Sequence, residues 1–314
     1  MTSLDRHAVT AAGASLRRSR PRHGERLIEV LLFVAALVSI ATTVGIVIAV
    51  LAPTIDFFRE ISLLDFLAGT KWTPLFADPS YGVLPLVSAT VMITLIAMVV
   101  AVPLGLGAAI YLSEYAAPRT RSVLKPALEV LAGVPTVVYG FFALKGITPL
   151  LQDIWPTDDG PQIFNALVAG LVMGIMIIPT VASLSEDAMA AVPRSLRDGA
   201  YALASSKMVV ATRIVVPAAI SGIIAAFVLG VSRAIGETMI VTIAAGLQPN
   251  LSWNPLEQME TMTAFIAAAG SGDVPVGTID YKTIFAVASL LFAMTLALNL
   301  FSIRLVRRFR EVYE

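Results

Sequence analysis

Cysteine is absent from this chain, which excludes disulfides, thiol catalysis and thiolate metal sites. Histidine is nearly absent. The two present, His7 and His23, lie in a polar N-terminal tail, have no zinc-type spacing and read as solvated. Charge is also scarce: 14% of residues are Asp, Glu, Lys or Arg, against about 25% in soluble domains. The formal net charge is +0, which removes any general attraction to nucleic acid. The period-2 polarity of barrel strands is missing. So is the G-x-x-x-x-G-K-[ST] loop that cradles nucleotide phosphates, and ATP hydrolysis by the chain itself is not expected. No resident cofactor is implied.

What remains is apolar. Of the 314 residues, 57% are hydrophobic, and the mean hydropathy is +0.83. Six segments reach the roughly 20 apolar residues that a bilayer-crossing helix needs. They lie near 27–52, 82–112, 127–151, 164–184, 218–247 and 284–306. The expected fold class is an all-α polytopic membrane protein with six transmembrane helices. Residues 1–26 form a basic tail rich in Ser, Arg, Pro and Gly, expected to be disordered. The apolar run after it exceeds the roughly 7–15 residues of a signal-peptide core, so it reads as an uncleaved span. The transmembrane domain occupies 27–310, with a polar loop at 186–217, and 311–314 form a short tail.

Basic residues set the orientation. The N-terminal tail, the loop with Arg119, Arg121 and Lys125, the loop with Arg194, Arg197, Lys207 and Arg213, and the C-terminal end together hold 17 of the 22 lysines and arginines. The opposite loops hold Arg59, Lys71 and Lys282 among many acids. Both termini are therefore expected to be cytoplasmic.

Several residues within the spans carry structural information. Aromatics in the loop 53–81, including Phe57, Phe66 and Trp72, suit anchoring at the headgroup level. Pro103 and Pro135 interrupt helical hydrogen bonding; at Pro135 the freed carbonyl needs a buried neighbour or Thr136. Lys145 suits snorkelling to the outer surface. Gly170 and Gly174 form a small-xxx-small pair that lets two helices approach closely. In the loop 186–217, Pro193 suits the start of a short helix, and Leu196, Ala200 and Leu203 are spaced to share one face. Ser205 or Ser206 can cap a second helix. Periodicity alone fits an amphipathic helix on the lipid surface equally well. In the fifth span, Arg233 lies about 22 Å along the helix from Ala218, and Glu237 follows one turn later on the same face. Charges at that depth are costly and face a protein interior or a watery cavity. The pair serves either transport or mutual neutralisation, although Arg before Glu is the weaker order for an i,i+4 pair.

The polar loop resembles the cytoplasmic "EAA" loop of binding-protein-dependent ABC importer permeases. That pattern runs Glu-Ala-Ala, three residues, Gly, nine residues, Ile-x-Leu-Pro. Here Asp198-Gly199-Ala200, Ala204 and Ile214-Val215-Val216-Pro217 stand at those positions. Asp replaces Glu, Gly199 replaces Ala, Ala204 replaces Gly and Val216 replaces Leu. Further stretches resemble phosphate importer permeases: Ile110-Tyr111-Leu112-Ser113-Glu114-Tyr115, Gly133-Val134-Pro135-Thr136 and Arg233-Ala234-Ile235-Gly236-Glu237-Thr238-Met239. Thr261-Met262-Thr263-Ala264-Phe265 favours the PstC type over its PstA-type sister. The resemblance implies a type I importer permease fold in the bacterial inner membrane. Its implied partners are a homologous permease subunit in a heterodimer, a cytoplasmic ATPase dimer, and a periplasmic or extracellular phosphate-binding protein. It implies ATPase coupling through Asp198, Gly199, Ala200, Ala204 and Pro217, and a substrate pathway through Arg233 and Glu237. Alternative readings are a permease for sulfate or molybdate, or an ion-driven secondary transporter.

Overall fold

The computed structural model describes residues 23–155 and 160–309. Of the tail expected to be disordered, residues 1–22 fall outside the described residues, as do those from 310, whereas residues 23–26 are helical and continue into the first apolar run. Residues 1–49 and 50–314 form two compact units. The described part of the first is the leading stretch of helix α1 (His23–Glu60). Its side chains are exposed at nearly every position, as suits a helix solvated by lipid rather than by protein.

The second unit is built on helices. In chain order these are α2 (Leu63–Ala68), α3 (Leu84–Ile110, prolonged by a wide π-turn to Tyr115), α4 (Pro118–Ala132), α5 (Thr136–Phe142), α6 (Thr148–Ile154) and α7 (Ala166–Ala190). Then follow α8 (Arg194–Ala202), α9 (Lys207–Val210), α10 (Val216–Ala218), α11 (Ile220–Ile235), α12 (Met239–Ala244), α13 (Met262–Ser271) and α14 (Ile279–Phe309). Four helices are long and apolar enough to cross a membrane: Glu25–Glu60, Leu84–Tyr115, Ala166–Ala190 and Ile279–Arg308. Two bent pairs raise the number to six if each counts as one span.

Those bends correct the expectation of continuous spans. The segment placed at 127–151 is two helices, Pro118–Ala132 and Thr136–Ile154, meeting at 86°. Pro118 opens α4 in its first turn, and Gly133-Val134-Pro135 ends it. Pro135 has no amide to offer the Leu131 carbonyl. The Tyr139 hydroxyl, rather than Thr136, donates to that carbonyl at 2.9 Å. The segment placed at 218–247 breaks twice, with a 72° bend before Ile220 and a second interruption between Ile235 and Met239.

The centre of the unit is the pair α3 and α7. Gly170 and Gly174 make their close approach possible. A Cβ on Gly170 would lie 2.7 Å from the Ile96 Cβ, and one on Gly174 would lie 2.8 Å from the Ala97 carbonyl oxygen. Around the pair, Ile93, Ala97, Met173, Met176 and Ile177 form a dry core with Ile240 and Val241 of α12. A second core gathers Phe57, Phe66 and Trp72, all but fully buried, with Phe265 and Val287. Their rings meet edge to face; Trp72 and Phe265 have centroids 4.9 Å apart. The expected headgroup anchors are therefore a folded aromatic core, because α2 and the turn 69–83 close over them.

Candidate functional site

Arg233 and Glu237 do not share a helical face. Arg233 occupies the last turn of α11, which ends at Ile235 with Gly236 as its cap. Glu237 lies in the break, buried to 8% exposure. Its Oε1 accepts from the amides of Met239 and Ile240 at 3.0 and 3.2 Å, capping α12. A cation thus ends one helix and an anion starts the next, each on the favourable side of its macrodipole. This resolves the weak Arg-before-Glu order, which counts only within a single helix. The Thr263 hydroxyl, from α13, donates to the Glu237 carbonyl at 2.7 Å and fixes the break.

Arg233 is consequently left without a carboxylate among the described residues. Its Nη1 donates to the Thr180 hydroxyl on α7 at 3.0 Å, and it lies within electrostatic reach of Tyr139 on α5. It is half-buried. The open amides at the start of α12 are taken by Glu237, so the guanidinium is the group here with charge to spare for an anion. Its planar fork suits oxyanion geometry.

At the basic end, Glu186 and Asp187 belong to the last turns of α7 rather than to the loop expected at 186–217. Glu186 is fully buried and accepts from Arg121 and from Lys125, the latter at 2.7 Å. Lys125 also reaches Asp187 at 2.6 Å. The loop proper starts with α8. Pro193 is its cap residue rather than its first residue, and Ser206 accepts from the Val209 amide to open α9. Asp198 and Gly199 are exposed, and Ala200 is buried at 6% exposure. Leu196 and Leu203 do not join Ala200 in the core, being 36% and 83% exposed. With Tyr201 and Met208 they leave an apolar surface on the loop. Ala204 has φ 56°, the left-handed region that costs a non-glycine residue about 1 kcal/mol. It stands where the importer pattern has Gly. Pro217 is exposed in α10, just before the bend.

Arg197, Glu114, Thr180 and the buried Glu186 cluster were not expected as site residues. They meet across more than 50 residues of chain, a separation that no local periodicity encodes.

A charged residue at a break in an apolar helix, following a helical loop at the basic end, is an arrangement that suits a membrane permease. Residues 101–311 match the family described as binding-protein-dependent transport system inner membrane component, and the chain belongs to it. It is a multi-pass protein of the bacterial inner membrane. It is 34% identical over 263 residues, 83% of this chain and 84% of the relative, to the probable ABC transporter permease protein YqgH of Bacillus subtilis. It is 33% identical over 265 residues, 79% of each chain, to the phosphate transport system permease protein PstC of Xylella fastidiosa. Among solved structures, a bacterial ABC transporter involved in alginate import aligns with TM-score 0.61 at 12% identity, covering 93% of this chain and all of that one. The MetNI methionine ABC transporter aligns with TM-score 0.54 at 15% identity, covering 73% and 95%. These two share the fold.

Proposed function

We propose that this chain is the PstC-type permease subunit of an ATP-driven phosphate importer and works by alternating access. The observation that carries the reading is Arg233: an arginine at depth, beside a helix break, with its would-be partner Glu237 committed elsewhere. The relatives named as phosphate permeases agree with a small oxyanion as its ligand. A second, homologous permease completes the path, and an extracytoplasmic binding protein delivers the anion. A separate ATPase pair docks on the apolar surface of Leu196, Tyr201, Leu203 and Met208, with Asp198 and Gly199 exposed beside it. Closing of that pair moves α8 and changes the side to which Arg233 opens.

Labelled phosphate uptake into vesicles holding the complete complex tests this, with and without ATP. Arg233→Gln is expected to lower uptake about 100-fold, the cost of removing a buried charge partner from an anion, while the complex still copurifies. Undiminished uptake by an assembled Arg233→Gln complex would sink the assignment. Inhibition by sulfate at concentrations matching phosphate would point to a different oxyanion.

A further inference from the structure

Only two residues of α8 turn inward. Ala200 enters the core formed by Ala109, Met189 and Val210. Arg197, the other, is bonded on three sides. Its Nη1 donates to the Val192 carbonyl at 2.6 Å, and its Nη2 donates to the Met189 carbonyl at 2.8 Å. Nη2 and Nε reach Glu114 Oε1 at 3.1 and 3.3 Å. The side chains of Arg197 and Glu114 are 16% and 5% exposed, so the pair is little screened by water. Ser113 also donates to Glu114 Oε1, at 3.0 Å.

These bonds join three elements. Met189 is in the last turns of α7 and Val192 lies just past its end, where carbonyls lack intrahelical partners and a cation is favoured. Glu114 lies in the π-turn that prolongs α3. A nine-residue helix such as α8 has little stability of its own. Its position is therefore set by what it is fastened to. Through Arg197 it is fastened to α7 and α3, which the close contacts at Gly170 and Gly174 lock together. Further along α7, nine residues or about 14 Å before Met189, Thr180 holds Arg233.

We propose that Arg197 is the strut through which α8 drives the pair α3–α7, so that movement at the ATPase-facing surface reaches Arg233 through Thr180. The covalent route, through α9 and α10, is the weaker lever because it turns through 72° before α11. Arg197 is a positioning residue: the bonds described for it are to this chain's own carbonyls and carboxylate. Glu114 is its counter-anchor.

The inference rests on the importer reading above, and the experiment separates the two. The complete complex is reconstituted, and phosphate uptake and ATP hydrolysis are measured together. If the unaltered complex imports a different oxyanion under ATP, the same ratio is measured with that anion. The phosphate reading then fails while the strut is still tested. Arg197→Gln is expected to keep the ATPase bound and its basal hydrolysis intact, while uptake per ATP falls about ten-fold or more, as for loss of a charged hydrogen-bond network. Arg197→Lys keeps a point charge for Glu114 but lacks the fork that spans the carbonyls, and is expected to fall in between. Glu114→Gln should lower the ratio less than Arg197→Gln, and the double variant should be no worse than Arg197→Gln alone. If Arg197→Gln does not assemble, Arg197→Lys and Glu114→Gln carry the test. An unchanged ratio in assembled variants overturns the proposal. So does loss of the ATPase in all of them, which would make Arg197 part of the dock.

Discussion

Glu260 is a residue whose surroundings override its chemistry. It lies between α12 and α13, outside the membrane-spanning helices, at 5% exposure and with no ion-pair partner among the described residues. Burial pushes its carboxyl up to about 8, so it is protonated at neutral pH. In the folded state it therefore holds a proton that the unfolded chain releases in the ordinary carboxylate range. Stability is full below that range and is lost as pH rises through about 8. Thermal unfolding of the purified protein should show a midpoint that declines between about pH 5 and pH 9, and Glu260→Gln should flatten that decline. An unchanged slope in Glu260→Gln would place the titration elsewhere. The sequence offers Glu260 as one of several acids in an outer loop. Its depth comes from α13 packing beside Thr90 and Glu237, a long-range arrangement that local pattern cannot report.

At the scale of elements, what was legible followed from local chemistry. The Gly170–Gly174 spacing marked a close helix pair, and Ser206 and Pro193 marked helix starts by their capping and fixed-φ properties, Pro193 one position out as the cap of α8. Illegible were the breaks at Ala219 and at 236–238. The first sits in strongly apolar sequence and the second between two apolar runs, where hydropathy reports burial in lipid and says nothing of backbone continuity. The charge order at Arg233 and Glu237 was the signal: it is poor within one helix and good across a junction. The α3–α7 contact gives a sharp test. Gly174→Leu inserts a side chain where even a Cβ would meet backbone at 2.8 Å. It should destabilise the protein by about 1–3 kcal/mol through overpacking, read as a lower unfolding midpoint. Leu at Gly107, which faces open space, should be tolerated far better. Equal effects at both positions would contradict the packing described here.

At the scale of the whole molecule, the helical, multi-span character was readable because apolar runs are counted along the chain. The cross-links that make separate spans act together were not. Glu186 meets Arg121 and Lys125, and Glu114 meets Arg197, over sequence gaps of 61 to 83 residues. The proposed docking surface can be probed without disturbing these links. A side chain at Gly199 would meet nothing of this chain within 4 Å. Gly199→Trp should leave the unfolding midpoint of the permease unchanged and abolish copurification of the ATPase. Retained copurification together with retained uptake would remove Gly199 from the dock.

Arg233, without a carboxylate partner among the described residues, also has an electrical consequence. On the proposed reading, each imported negative charge climbs a membrane voltage worth about 2.3 kcal/mol per 100 mV. Arg233 is present before and after every cycle, so it cannot change that end-to-end work. It can only move where along the path the work is done. With the anion resting at a fixed positive charge partway across, the field is divided between arrival at Arg233 and departure from it, and membrane voltage acts on both steps.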